Sequence, residues 1–465
     1  MHGVAAFLLA SLAAVSQARA DRTSIHGTAS VDAAVTDNVL SQPLGSENRE
    51  GDVLLTIRPG MLFTYAFPRW MNEFNAEMEM TRYVGVADSP TIALRGAWKS
   101  IILTGPLSEI ILDANVNRSV VSAIGAANMP QDTSVALLPI NQVVALEGGF
   151  NEYASKTLTR ELRLYQSAFV RGGMSDDEGM PPTRVQSGEL GMAWGLDRAW
   201  KKDRISVEAG VSVLALDRNE DAPMGGRRDR QINPRGRATW RRDLTRKLSW
   251  GLDVGLVVVV PFGDDPYHAG EERGLGTFPL LGAQAAYTDV WGVATASVRR
   301  DVTPNLFVAA NTVNDTASLS AAVPLYWLEG NRRRQPKLAG VGSFGIQRTQ
   351  LIEPETSDLT SSFIVGRIDA GIQYVPKPGF SYSLRYELMY QTSDRGSGIA
   401  EPQPGFLRNT LYVTAAVRFP ADVAVRVPKR RTSSVRADRK DLAPFGAEPV
   451  IPDLTEAGGE GGEGL

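Results

Sequence analysis

Residues 380–391 read FSYSLRYELMYQ. Phe380, Tyr382, Leu384, Tyr386, Leu388 and Tyr390 fall on one side of an extended chain. Ser381, Ser383, Arg385, Glu387, Met389 and Gln391 fall on the other. Successive side chains of a strand point to opposite faces, so this stretch puts one face in something apolar and the other in something wet. The pattern recurs. Leu55, Ile57, Pro59, Met61, Phe63, Tyr65 and Phe67 alternate with Thr56, Arg58, Gly60, Leu62, Thr64 and Ala66. Leu248, Trp250, Leu252, Val254, Leu256, Val258 and Val260 alternate with a set that includes Ser249, Gly251, Asp253 and Gly255. Ile364, Ile368, Ile372 and Tyr374 oppose Arg367, Asp369 and Gln373, and Leu411, Val413, Ala415, Val417 and Phe419 oppose Thr414 and Arg418. Weaker segments lie at 108–123 and 134–153. Past the leader, helical periodicity is absent.

The connections decide between a protein core and lipid on the apolar side. Short ones (67–70, 199–203, 243–247, 301–305 and 376–379) take turns with long polar ones (39–51, 172–183, 218–231, 262–276 and 393–406). With 277–301 taken as one strand, the reading gives about 18 antiparallel strands (16–18), with short turns at one end and long loops at the other. A soluble β-sandwich or propeller also alternates, but explains neither this succession nor the aromatics near the short-turn end (Phe67, Trp70, Trp200, Trp250, Trp327, Tyr374, Phe380, Tyr382 and Phe419). The expected fold is all-β: a transmembrane, antiparallel, up-and-down β-barrel over 21–420. Hydrocarbon offers no partner for a free backbone group, so such a sheet must close on itself.

The flanks differ in chemistry. Residues 4–15, VAAFLLASLAAV, followed by SQARA, read as a secretory signal peptide, residues 1–20. Residues 421–465 are read as a disordered periplasmic tail. Its first part carries Arg426, Lys429, Arg430, Arg431, Arg436, Arg439 and Lys440, and 441–465 holds six acids and no base. Lys429, Arg430, Arg431, Arg436, Arg439 and Lys440 are the candidate contacts to a periplasmic partner, lipid phosphates or cell wall. The chain has no cysteine, which excludes thiolate metal sites and Cys nucleophiles. Of three histidines, only His26 and His268 lie outside the leader, and neither sits in a nucleophile context. The GVGSFG run (Gly340, Gly342, Gly345) matches a dinucleotide fingerprint, but no helix follows it. We expect no enzyme activity and no cofactor. The net charge of −3 gives no reason to expect nucleic acid.

What remains is the inward set. Alternation assigns Arg58, Glu77, Glu79, Asp253, Arg367, Asp369, Arg385, Glu387 and Arg418 to the lumen. Arg or Lys on the lipid face costs roughly 2–4 kcal/mol at the midplane. The signs are mixed, which suits a neutral or weakly charged hydrated solute. The loop 262–276, with Asp264, Asp265, Glu271 and Glu272, is the candidate constriction.

The stretches VTPNLFVAANTVNDTASLSAAVPLYW (302–327) and TASVDAAVTDNVLS (28–41) resemble a family of roughly 18-stranded outer-membrane barrels in Gram-negative exopolysaccharide clusters. Members of that family are thought to work with short periplasmic export proteins. The resemblance covers about a third of the barrel by our reading and transfers no functional residue. It implies an outer-membrane exit pore for a secreted polysaccharide, with both termini in the periplasm. The tail would then face the export partner, and lipid and the barrel-insertion machinery would be the other partners. A general diffusion porin for small solutes and a structural or adhesive barrel are the alternatives.

Overall fold

The structure is a computed structural model. It describes residues 23–419, apart from 40–49, 86–89, 122–142, 178–182, 220–225, 264–273, 306–309, 326–336, 353–358, 378 and 394–404. The proposed leader and tail, and the acidic residues of the 262–276 loop, lie outside the described residues.

Eighteen antiparallel strands form one closed sheet. They are β1 (Thr23–Thr36), β2 (Asp52–Ala66), β3 (Trp70–Tyr83), β4 (Thr91–Gly105), β5 (Ser108–Val121), β6 (Val143–Thr157), β7 (Leu162–Asp177), β8 (Thr183–Trp200), β9 (Asp203–Arg218), β10 (Arg227–Asp243), β11 (Leu248–Pro261), β12 (Gly276–Asp289), β13 (Gly292–Asn305), β14 (Ala310–Pro324), β15 (Leu338–Ile352), β16 (Leu359–Lys377), β17 (Phe380–Ser393) and β18 (Phe406–Phe419). Each strand pairs with its chain neighbour, and β1 pairs with β18 to close the ring. An even strand count puts the start of β1 and the end of β18 at one rim, the rim of the short turns.

The ladder fixes the faces. Val31, Ile57, Leu94, Val116, Leu190, Val207, Val254, Val298, Leu319, Ile346, Ile368, Leu384 and Val413 share the outward rows and are all exposed. A closed sheet whose exposed exterior is aliphatic is the surface of a barrel that sits in lipid. Near the short-turn rim that exterior becomes aromatic. Phe67 stacks on Trp70, Trp240 meets Trp250 edge-on, and the Trp70 indole donates to Ser100 at 2.7 Å. Rings with a dry face and a bonded polar edge suit the headgroup level. Trp327 lies outside the described residues.

Three expectations are corrected. Residues 277–301 are not one strand: β12 and β13 meet at a tight turn over Val290 and Trp291. Asp289 caps it by accepting from the Val290 N–H, and Gly292 takes the positive φ it requires (+141°). Both turn residues are apolar, so composition gave no sign of the turn. The 301–305 stretch, read as a short connection, is the upper end of β13. The succession of short and long connections is also broken: β14 ends at Pro324 and β15 begins at Leu338 on the short-turn rim, while β13 ends at Asn305 and β14 begins at Ala310 on the other. GVGSFG lies within β15. The upper half of 134–153 is β6, which begins at Val143; 134–142 is outside the described residues.

Candidate functional site

The lumen is the candidate site. Two of its walls carry most of the described inward charge. One spans β16, β17, β18, β1, β2, β3 and β4. Arg367 meets Asp369 at 2.8 Å and Glu387 at 2.7 Å, and Arg408 lies 3.7 Å from Glu387. Arg58 joins Asp32 and reaches Glu79 at 2.7 Å, while Arg95 stands 3.9 Å from both Glu77 and Glu79. Of the opposite charges two apart on one strand, Arg367 does pair with Asp369. Arg385 and Glu387 do not pair: Arg385 faces Asp369 at 3.8 Å, and Glu387 is taken by Arg367 and Arg408. Cross-strand proximity adds to chain spacing in selecting the partner.

The opposite wall is more basic. β10 turns Arg227, Asp229, Gln231, Asn233, Arg235, Arg237, Thr239 and Arg241 inward by its register with β9 and β11. Asp253 accepts from Thr239 at 2.6 Å and pairs with Arg237 at 3.0 Å. Arg171 binds Glu189 at 2.8 Å, and Asp197 is shared by Arg163 at 2.8 Å and Arg204 at 2.6 Å. Here Tyr165 and Phe169 lie over Gly195 and Gly191, where a Cβ would strike the rings. The sequence reading missed this arginine row. Its signal was the alternation of Arg235, Arg237, Thr239 and Arg241 against Gly236, Ala238 and Trp240.

Between the charged walls, β13, β14 and β15 carry a strip of hydroxyls and amides, interrupted by one ion pair, Arg299 with Asp301. Thr295 bonds Ser320 at 2.6 Å, Ser297 bonds Ser318 at 2.7 Å, and above them Asn314, Gln347 and Thr349 form an amide–hydroxyl cluster.

All nine residues assigned to the lumen by alternation fall on inward rows. Arg418 stands beside Thr28 at the short-turn rim. Solvent reaches some lumen side chains and not others: Lys99 is 52% exposed and Arg385 38%, while Glu387 and Arg408 are buried. At the short-turn rim, outside the wall, the Asp289 carboxylate accepts from Lys247 at 2.7 Å and holds its ammonium above the usual range.

The upper lumen departs from the greasy-out, wet-in expectation. Val185, Leu214 and Leu216 are inward and buried, as are Leu54, Tyr83 and Tyr412 with Val39. The largest departure is at β12 and β13. Their ladder runs from Asp289–Gly292 to Leu281–Arg300 and stops, although β12 continues to Gly276 and β13 to Asn305. Above the stop, the ends of β13, β14 and β15 form a flap that leaves the wall. Asn311 on β14 donates to Gln231 on β10. Those strands stand four spacings apart, about 19 Å along the wall at ~4.8 Å each, so the bond can only cross the lumen. Val313 lies on an outward row yet is 1% exposed, in a cluster with Ile352 and the inward Val257, Val259, Phe278 and Leu280. Val298, lower on the neighbouring strand, is 60% exposed. The sheet rolls inward here like a scroll. The constriction expected at 262–276 rests on Asp264, Asp265, Glu271 and Glu272, which lie outside the described residues.

No family model matches the chain, and no curated protein matches it. Among solved structures, it is similar to the ferric citrate transporter FecA in its unliganded form, at 8% identity and TM-score 0.47, covering 86% of this chain and 79% of that one. It is similar to the copper transporter OprC at 10% identity and TM-score 0.45, covering 86% and 81%. It is similar to OpdK of Pseudomonas aeruginosa with vanillate at 10% identity and TM-score 0.44, covering 85% and 99%. At these values the strands of the chain itself, not the likenesses, establish the closed barrel.

Proposed function

We propose that the chain is an outer-membrane channel of a Gram-negative cell, with both termini in the periplasm, and that its cargo is a secreted polysaccharide. The channel reading is carried by one observation. Charged side chains such as Lys99 and Arg385 stand solvated on inward rows of a closed sheet whose outside is aliphatic. Barrels of 16–18 strands are wide enough for an aqueous channel.

The cargo reading rests on the strip of hydroxyls and amides. Hydroxyls and amides exchange hydrogen bonds with a sugar without binding it firmly through charge. The sequence resemblance implies the same cargo. Purified protein in planar bilayers tests the channel, and absence of any conductance removes it. Deleting the gene and staining for surface polymer tests the cargo. Unchanged polymer with altered small-solute uptake would select the second reading, a diffusion porin, which the flap across the lumen favours. The tail's basic block is proposed to face a periplasmic export protein. Export and assembly unaffected by removal of 426–465 would end that proposal.

A further inference from the structure

We propose that the flap (301–305 of β13, 310–314 of β14 and 349–352 of β15) is a gate with a second position in the barrel wall. This rests on the channel reading and adds how the lumen is opened.

The second position is written in the register. Continuing the β12–β13 ladder past Leu281–Arg300 pairs Leu280 with Asp301, Phe278 with Thr303 and Gly276 with Asn305. Both segments are already strands, so re-pairing needs no change of secondary structure. The swing also suits the side chains. Val302 and Val313 lie on the outward rows of Val298 and Leu319, beyond the Arg300–Asp315 pair on the same rows, so in the wall they resume an apolar exterior above that pair. In the lumen the same valines pack on the inner faces of β11 and β12. The flap thus has an apolar seat in each position.

Two features mark the hinge. The Arg300–Asp315 pair, bonded at 2.6 and 2.8 Å, spans the neck from β13 to β14. The β15–β16 register shifts between Gln350 and Leu351, at the level where the flap departs, and a bulge bends a strand. Pro279 and Pro304 stand on the two edges that would re-pair. Neither can donate to a ladder, which keeps the zipped wall from dominating. From Asp289 to Leu281 the wall rises on the order of 20 Å at ~3.3 Å per tilted residue, so the split opens near the far edge of the ~25 Å apolar band. There, open strand edges can meet water or headgroups.

The absence of native cysteine makes the test direct. In the full-length protein, a short bifunctional thiol reagent should join N311C to Q231C across the lumen, replacing the span of the Asn311–Gln231 side chains, and oxidation should join L280C to D301C in the wall. Only the second pair is directly opposed in the continued ladder and so within reach of a disulfide. Cross-linked N311C/Q231C should conduct several-fold less than the untreated variant, and oxidised L280C/D301C several-fold more. A folded L280C/D301C barrel that never cross-links overturns the gate. So does an N311C/Q231C channel whose conductance is unchanged once cross-linking is confirmed by mass. Should no variant conduct, the channel reading falls, while cross-linking of L280C/D301C still decides whether the flap moves.

Discussion

The barrel has two junctions that invite comparison. β1 and β18 come from opposite ends of the chain, yet their ladder runs through ten pairs, from Gly27–Phe419 to Thr36–Thr410. It is then extended by side chains: Asn409 donates to Asp37 at 2.7 Å, Asn38 donates to the Leu407 carbonyl at 3.1 Å, and the Tyr386 hydroxyl donates to Asn409 at 2.5 Å. β12 and β13 are joined by a two-residue turn, yet their ladder stops after nine pairs. Adjacency in sequence lowers the cost of bringing strands together, but does not decide how far they stay together. What decides is the alternative open to each edge. The closing edge has none, because an unpaired edge in lipid leaves backbone groups unsatisfied. The β12–β13 edge has an apolar seat inside the lumen.

The comparison can be broken from the closed side first. Glu387 is fully buried between Arg367 and Arg408, beside the closing strand. Glu387→Ala leaves Arg408 buried without its carboxylate and should cost about 3–5 kcal/mol, read as a lower urea midpoint in refolding titrations. Next comes the lipid face. Val413, mid-strand and outward on β18, should lose roughly 2–4 kcal/mol as Val413→Arg in the same titration. A wild-type midpoint there would mean that this row does not meet hydrocarbon.

On the split side, Val313→Ala trims the flap's seat by about 1–2 kcal/mol of apolar burial. Global stability should barely change, while conductance rises; a fall in conductance would contradict the scroll geometry. The smallest effect belongs to the Arg184–Asp176 pair at the outer rim, 57% and 40% exposed. Arg184→Ala should stay within about 0.5 kcal/mol, because water screens such a pair. These effects rank the junctions: the closed one fails by unfolding, the split one by opening.

Particular residues show how much was legible. The phase of each strand followed from lists such as 380–391, because a one-residue slip would move every aliphatic side chain to the wet face. The approximate strand number survived even though the Val290–Trp291 turn was missed. An apolar turn at the headgroup rim looks like strand, because its surroundings are as greasy as a strand's outer face. The β10 arginine row was legible and went unread. The flap was not legible: Asn311 and Gln231 are unremarkable on their own strands, and nothing local says they meet.

The sequence by itself determined which side chains face lipid and which face the lumen, since a period of two on a two-faced sheet admits only two phases and solvation selects one. Tertiary structure alone decided which lumen charges pair, how far each ladder runs and where the sheet rolls inward. Those outcomes depend on groups several strands apart competing for the same space and the same hydrogen bonds, a competition no single strand records.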